Sequence, residues 1–364
     1  SPGEFYQIDM EMSFVTQDDV FAVIESLFTD LFSTFSDRKM DTAPFVRIPY
    51  REAMLKYGSD KPDLRNPIEI RDLTDVFDGS AFAIFAKQIA AGAIVRALPV
   101  KGVADNPKSF FNGMVEWAMS PEVGAGGLAY LQWKDGEVKG PIAKVLSRDE
   151  LDTIARRCGV GQGDVVFFVC DQEKKAVAIS AKVRTHLGQE LKLIEPDVFR
   201  FCWIVDFPMY EENPETGKIE FSHNPFSMPQ GGMEALNAMD PRDILAWQYD
   251  IVCNGEELSS GAIRNHQPDV MYRAFEIGGY TREEVDAQFG GIINAFKLGA
   301  PPHGGIAPGL DRLVMLIAGR ENLREVVAFP MNQHAQDLMM GAPRAVTDRQ
   351  LNELSIRVDL PEEG

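Results

Sequence analysis

The stretch His303 to Gly319, HGGIAPGLDRLVMLIAG, runs a glycine-rich approach straight into an amphipathic segment, and few local conformations satisfy both halves. Leu310, Leu313, Val314 and Ile317 recur on one helical face, Pro308 and Gly309 suit a helix entry, and Gly319 suits the position just past the end. The spacing predicts a short buried helix. Arg312 then lies in its first turn, where unpaired N–H groups and the positive end of the dipole disfavour a cation by up to roughly 1 kcal/mol. An anionic or aromatic group facing Arg312 would offset that cost. Exposed N–H groups, glycines that admit close backbone approach and a guanidinium together make a seat for a nucleotide. An Asp311–Arg312 surface pair beside a core helix accounts for the same residues equally well.

With 364 residues, 45% of them hydrophobic, the chain has the material for a full core and for more than one domain. No uninterrupted apolar run approaches the length of a membrane span, and SPGEFYQ at the start lacks the pattern of a signal peptide, so a soluble, cytoplasmic protein with no membrane partner is expected. Cys158, Cys170, Cys202 and Cys253 are widely separated and form no pair at metal or redox spacing, which predicts buried thiols. A net charge of −19 opposes nucleic-acid binding through the general field of the chain, so any such partner must be met locally or by a part of the protein outside this sequence.

FYQIDMEMSF (Phe5 to Phe14) alternates strictly, with Tyr6, Ile8, Met10, Met12 and Phe14 on one side and Gln7, Asp9, Glu11 and Ser13 on the other. It reads as a half-buried strand whose polar face carries an amide and two carboxylates roughly 7 Å apart. A solvated face of an antiparallel sheet has the same pattern. Thr16 and Asp19 have capping-box spacing ahead of a stripe of Val20, Val23, Ile24, Leu27, Phe28 and Leu31. Gly58 to Asn66, GSDKPDLRN, is a polar, turn-forming stretch that reads as a surface loop. Beyond Arg71 the units shorten: strands are predicted at Leu128 to Trp133, Val165 to Val169 and Ala176 to Ser180, a hairpin turn at Asp135-Gly136, and a helix capped by Ser147 and Glu150 and closed by Gly159. Phe199 to Tyr210 reads as a central strand, and Thr281 with Glu284 caps a helix running to Leu298. His223 fits either a turn histidine or a site residue. Asp250, Glu257 and Arg264 stand seven apart, so bulges at Gly255 and Gly261 would be needed to bring them to one face. Such a face would suit a hard cation and an anionic ligand, whereas a twisted edge strand with scattered charges is the simpler reading.

FYQIDMEMSF resembles the second strand of motif 2, and HGGIAPGLDRLVML resembles motif 3, of class II aminoacyl-tRNA synthetases. With GSDKPDLRN, DFPMYE (Asp206 to Glu211), SHNPFS and NGEELSSGAIR in order between them, the likeness is to the bacterial aspartyl type and runs through essentially the whole chain. It implies an α+β fold with an antiparallel sheet flanked by helices, and a smaller inserted α+β domain similar to one found in a subunit of a tRNA-dependent amidotransferase. The implied division is 1–70 for the first part of the catalytic domain, 71–195 for the insertion, 196–345 for the second part and 346–364 for a C-terminal extension.

The resemblance further implies a ligase that joins L-aspartate to ATP with Mg²⁺, releases pyrophosphate and passes the aspartyl group to tRNA(Asp), with tRNA(Asn) as an alternative acceptor. Carried over by position, Gly309, Leu310, Asp311 and Arg312 would contact ATP, and Glu257 and Asp250 would hold Mg²⁺ and, through it, phosphate oxygens. Arg264 would pair with the aspartate side chain, helped by His223 and oriented by Asp9, while Gln7 would touch the substrate and Glu11 would support that face. No protein nucleophile is required; Arg264 and Arg312 would act electrostatically and by positioning. A homodimer is expected. The likeness starts within motif 2, so the chain is expected to be the C-terminal part of such an enzyme, and the activity of the isolated chain stays open. A non-catalytic paralogue kept as a tRNA- or partner-binding module is the alternative.

Overall fold

Three helices begin where a hydroxyl residue is followed three positions on by a carboxylate. The Thr16 N–H donates to Asp19 at 2.8 Å, that of Ser147 to Glu150 at 2.6 Å and that of Thr281 to Glu284 at 2.8 Å. They open helices Gln17–Phe35, Arg148–Cys158 and Arg282–Lys297, the second closed by Gly159 in the left-handed conformation. In this computed structural model, which describes residues 4–359, the chain divides into a unit of residues 9–307 and a smaller one of residues 4–8 with 308–359.

The larger unit holds a six-stranded sheet in the spatial order Met10–Ser13, His303–Ile306, Glu256–Ile263, Gln248–Cys253, Phe201–Val205 and Val46–Pro49. All its pairings are antiparallel except the last. Helix Gln17–Phe35 packs on it: Phe21 stacks on Trp203 at 3.8 Å, and buried Glu25 accepts hydrogen bonds from Trp203 Nε1 (2.9 Å) and the Phe45 N–H (3.0 Å). Its buried face is Val20, Phe21, Ile24, Phe28 and Phe32, whereas Val23 of the expected stripe is exposed. The aromatics of the sheet select a face rotated toward Phe21 and Phe32.

Backbone approach in this sheet is very close at Gly261. A Cβ there would meet the Tyr249 ring at 2.6 Å and Ile306 at 2.8 Å, and would collide with the Gly305 carbonyl oxygen. The expected bulge is therefore not what Gly261 provides; it lets the central strands close. Gly261→Ala is expected to destabilise the protein by about 1–3 kcal/mol, read as a lowered thermal midpoint, while an unchanged midpoint would contradict this packing.

A second, five-stranded antiparallel sheet, ordered Arg71–Asp72, Ala93–Val100, Val165–Gln172, Ala129–Lys134 and Glu137–Lys139, lies in the same unit. Asp135 and Gly136, both at positive φ, make the predicted hairpin turn. Ala176 to Ser180 is not a strand but part of helix Glu173–Glu190, in which Ala176, Ile179, Val183 and Leu187 are buried at helical spacing. Five residues were too short a window to separate the two periods. The expected single strand Phe199 to Tyr210 is broken at Asp206, whose φ is 56°. The four thiols are free; burial pushes that of Cys158 up to about 12 and that of Cys170 up to about 11, which keeps them unreactive.

In the smaller unit Gln7 bridges to Gly309, and the Leu310 N–H donates to the Tyr6 carbonyl at 2.8 Å. Helix Leu310–Ile317 follows. Its buried residues are Leu313, Met315 and Leu316, with Leu310 and Val314 exposed, so the predicted helix forms but the stripe that packs is not the predicted one. Tyr6 and Phe14, expected on a buried strand face, are also exposed; Phe14 has φ 58° and turns the chain out of the sheet. Among the described residues no helix is long and apolar enough to cross a membrane.

Candidate functional site

Asp250 and Glu257 are brought together by a hairpin rather than by kinks in one strand. Asn254 and Gly255, at φ 54° and 90°, turn strand Gln248–Cys253 back into strand Glu256–Ile263. Asp250 pairs with Ser260 and Val252 with Glu257, and the register shift between Ile251 and Val252 leaves Leu258 as the extra residue. Residues opposite one another in such a pair project to the same side, which sets Glu257 near Asp250. The expected common face therefore arises from cross-strand register, with Gly255 at the turn and the bulge at Leu258.

Asp250 is only 4% exposed, and its Oδ1 has no hydrogen-bond partner. Burial, seconded by the negative charges of Glu257 and Asp60, pushes its pKa from 3.8 up to about 7, although a hydrogen bond from Ser260 and the charge of Lys61 pull the other way. Among the described residues no group of three or more His, Cys, Asp or Glu side chains is arranged as a metal cage. Mg²⁺ does not need one, because it commonly binds through one or two carboxylates together with substrate phosphates. An orphaned buried oxygen on Asp250 acting with Glu257 fits that pattern.

Sequence reasoning missed the cation already present. Lys61, in a segment whose composition reads as a surface loop, lies 3.1 Å from Glu257 Oε2 and 2.8 Å from Asp60 Oδ2. His223 belongs to this neighbourhood too. Its ring meets Phe207 and Tyr50 edge-on at 5.0 and 5.7 Å, and it feels the charges of Asp60, Glu211, Lys61 and Glu257. It keeps an accessible edge, yet desolvation by the atoms around it lowers its pKa and favours the neutral ring near pH 7.

Arg264 lies at the other end of the face. Its backbone N–H donates to the His303 carbonyl at 2.9 Å, and its Nε and Nη2 both donate to Glu11 Oε1, the former at 3.0 Å. Glu11 projects from strand Met10–Ser13, and Asp9 is exposed just before it. Arg264 and Glu11 open onto a pocket of about 320 Å³ that Asn224, Asn265, Phe226, Phe296 and His303 also line. Asn224 and Phe226 are the members of SHNPFS on that pocket, and His223 is not among its lining residues. Asn265 is 1% exposed with neither amide atom paired, and nothing in the sequence distinguished it from a loop residue. In the smaller unit, Arg312 occupies the first turn of its helix as predicted, beside Asp311, with Gly309 at the N-cap.

The model of a family described as tRNA synthetases class II (D, K and N) matches residues 1–333. The chain is 61% identical over 361 residues to a protein named aspartate–tRNA(Asp/Asn) ligase from Rickettsia akari, covering 98% of this chain and 60% of that protein. It is 59% identical to a protein of the same name from Paramagnetospirillum magneticum, covering 99% of this chain and 41% of that one. The chain thus spans about 60% or less of the length of these relatives. A solved aspartyl-tRNA synthetase from Entamoeba histolytica aligns over 92% of this chain and 44% of its own at 17% identity and a TM-score of 0.41, too distant to bear on side chains. With a family model matching most of its length, after a site assembled from the same segments, the chain belongs to the class II tRNA synthetases of the D, K and N type.

Proposed function

We propose that this chain carries the aspartate-activating site of an aspartate–tRNA ligase. L-Aspartate attacks the α-phosphate of ATP to give aspartyl-adenylate and pyrophosphate, and the aspartyl group then passes to the 3′ end of tRNA(Asp), with tRNA(Asn) as a second acceptor. The observation that carries the reading is the Arg264 fork closed on a carboxylate, Glu11, at the wall of a pocket. A guanidinium there presents parallel donors to a planar carboxylate, which is what selects aspartate by its side chain. Glu11 holds the fork in place before the substrate's carboxylate takes it.

The other roles follow from chemistry. Asp9 orients the substrate, His223 contributes a neutral ring, and Gln7 touches the substrate or adenylate. Asp250 and Glu257 would hold Mg²⁺, which when bound would supply positive charge against the phosphates. Gly309, Leu310, Asp311 and Arg312 contact ATP. The protein's part is to position the attack and stabilise developing charge, with no covalent intermediate on the enzyme. The names of the relatives and the family support this reading, and the family leads us to expect a homodimer.

The test is exchange of labelled pyrophosphate into ATP with Mg²⁺. Exchange dependent on L-aspartate supports the proposal, and exchange driven instead by lysine or asparagine refutes the assignment of Arg264. Arg312→Ala is expected to raise the ATP requirement about tenfold or more, the loss of roughly 1.5–3 kcal/mol from a charge-assisted contact, with a smaller change for aspartate. Equal effects on both would count against its role.

A further inference from the structure

The segment that carries Lys61 is held firmly at its base. Arg184, 3% exposed on helix Glu173–Glu190, donates to the carbonyls of Asp63 (2.9 Å), Asn66 (2.8 Å) and Ile68 (2.7 Å). Asn66 Nδ2 returns a bond to the Arg184 carbonyl at 2.9 Å, and Arg65 grips Asp63 through Nε and Nη2 at 2.9 and 2.8 Å. A buried guanidinium satisfying three carbonyls fixes the path of this backbone. The anchor belongs to the helix that packs on the five-stranded sheet, so that part of the chain sets where Lys61 stands. The Lys61 side chain is 38% exposed, and its flexible four-carbon stem places the ammonium between Asp60 and Glu257.

We propose that Lys61 is an internal counter-ion of Glu257, placed so that binding of a divalent cation is conditional on the arrival of nucleotide phosphate. The inference rests on the reading of Asp250 and Glu257 as the metal-holding pair. A divalent cation arriving alone must break the Lys61–Glu257 pair and then sit beside a displaced ammonium that the fixed backbone cannot carry away. Like-charge repulsion opposes that state. When the cation arrives with a polyphosphate, Lys61 gains a new anionic partner and the repulsion is relieved. Lys61 thereby links two ligands that each bind poorly alone, and the linkage is reciprocal: the cation must strengthen ATP binding by the factor by which ATP strengthens cation binding.

The experiment compares the wild-type chain with Lys61→Met and Lys61→Arg, with folding checked by thermal midpoint. Mn²⁺ affinity without nucleotide is read from the electron paramagnetic resonance signal of the free ion, and ATP affinity with and without Mn²⁺ by calorimetry. In Lys61→Met, Mn²⁺ alone is expected to bind about fivefold more tightly or better, and the Mn²⁺-dependent gain in ATP affinity to shrink by a similar factor. Lys61→Arg, which keeps the charge, retains most of the coupling. Unchanged values of both quantities in Lys61→Met overturn the proposal. A wild-type chain without coupling overturns it as well; if aspartate-dependent exchange then persists, the functional reading stands without it, and if exchange is also absent, both fall.

Discussion

Replacing Arg264 by leucine is expected to abolish aspartate activation while the fold is retained. The substitution removes a fork that closes on a carboxylate in a site where the arginine side chain is only 23% exposed, and losing one partner of such a pair costs roughly 2–5 kcal/mol. Aspartate affinity should therefore fall by a factor of about 30 to several thousand, with ATP affinity little changed. Glu11 is 45% exposed at its side chain and can turn to water, so the orphaned carboxylate should not unfold the sheet. Calorimetric titration with aspartate checks the loss, and unchanged affinity in the variant would sink the assignment.

The second large effect concerns Asp250. Its folded pKa of about 7 lies above the unfolded value of 3.8, so the native state holds its proton more tightly than the unfolded chain does. The stability this contributes is fully present below pH 3.8 and is lost as pH rises through about 7. At about 1.4 kcal/mol for each pH unit between those values, the contribution reaches about 4 kcal/mol. Asp250→Asn, which keeps the shape and cannot ionise, is expected to gain stability relative to the parent chain between pH 5 and 8, measured by denaturant unfolding without divalent cations. Parallel stability curves for the two proteins across that range would contradict the burial of a strained carboxylate.

What could be read from the sequence was local. Thr16, Ser147 and Thr281 announce their helices because a cap is made by residues three apart, and Asp135-Gly136 announces its hairpin because two positive-φ positions adjoin. Asn254-Gly255 carries the same hairpin signal, but a seven-residue spacing of charges on either side of it is equally compatible with a bulge in one strand. Asp250 and Glu257 come together across a hairpin and not along one strand. Which stripe of helix Leu310–Ile317 or of helix Gln17–Phe35 is buried depends on neighbours the periodicity does not name. Lys61 illustrates the limit most clearly. GSDKPDLRN has the composition of a solvated loop, and its meaning comes from Glu257 and Arg184, which are far from it in sequence and near it only in the fold. Asn265 was silent for the same reason: burial of its amide is a property of the pocket, not of the residues beside it.

The central claim is that this chain recognises an activated aspartate, and calorimetry with a non-hydrolysable aspartyl-adenylate analogue tests it most directly, since it asks for binding without requiring turnover. The account predicts saturable heat for the aspartyl analogue, its loss in Arg264→Leu, and none for the lysyl counterpart. No heat from the folded wild-type chain, or equal heat from the lysyl analogue, would contradict the account and leave a family member that keeps the fold for another purpose.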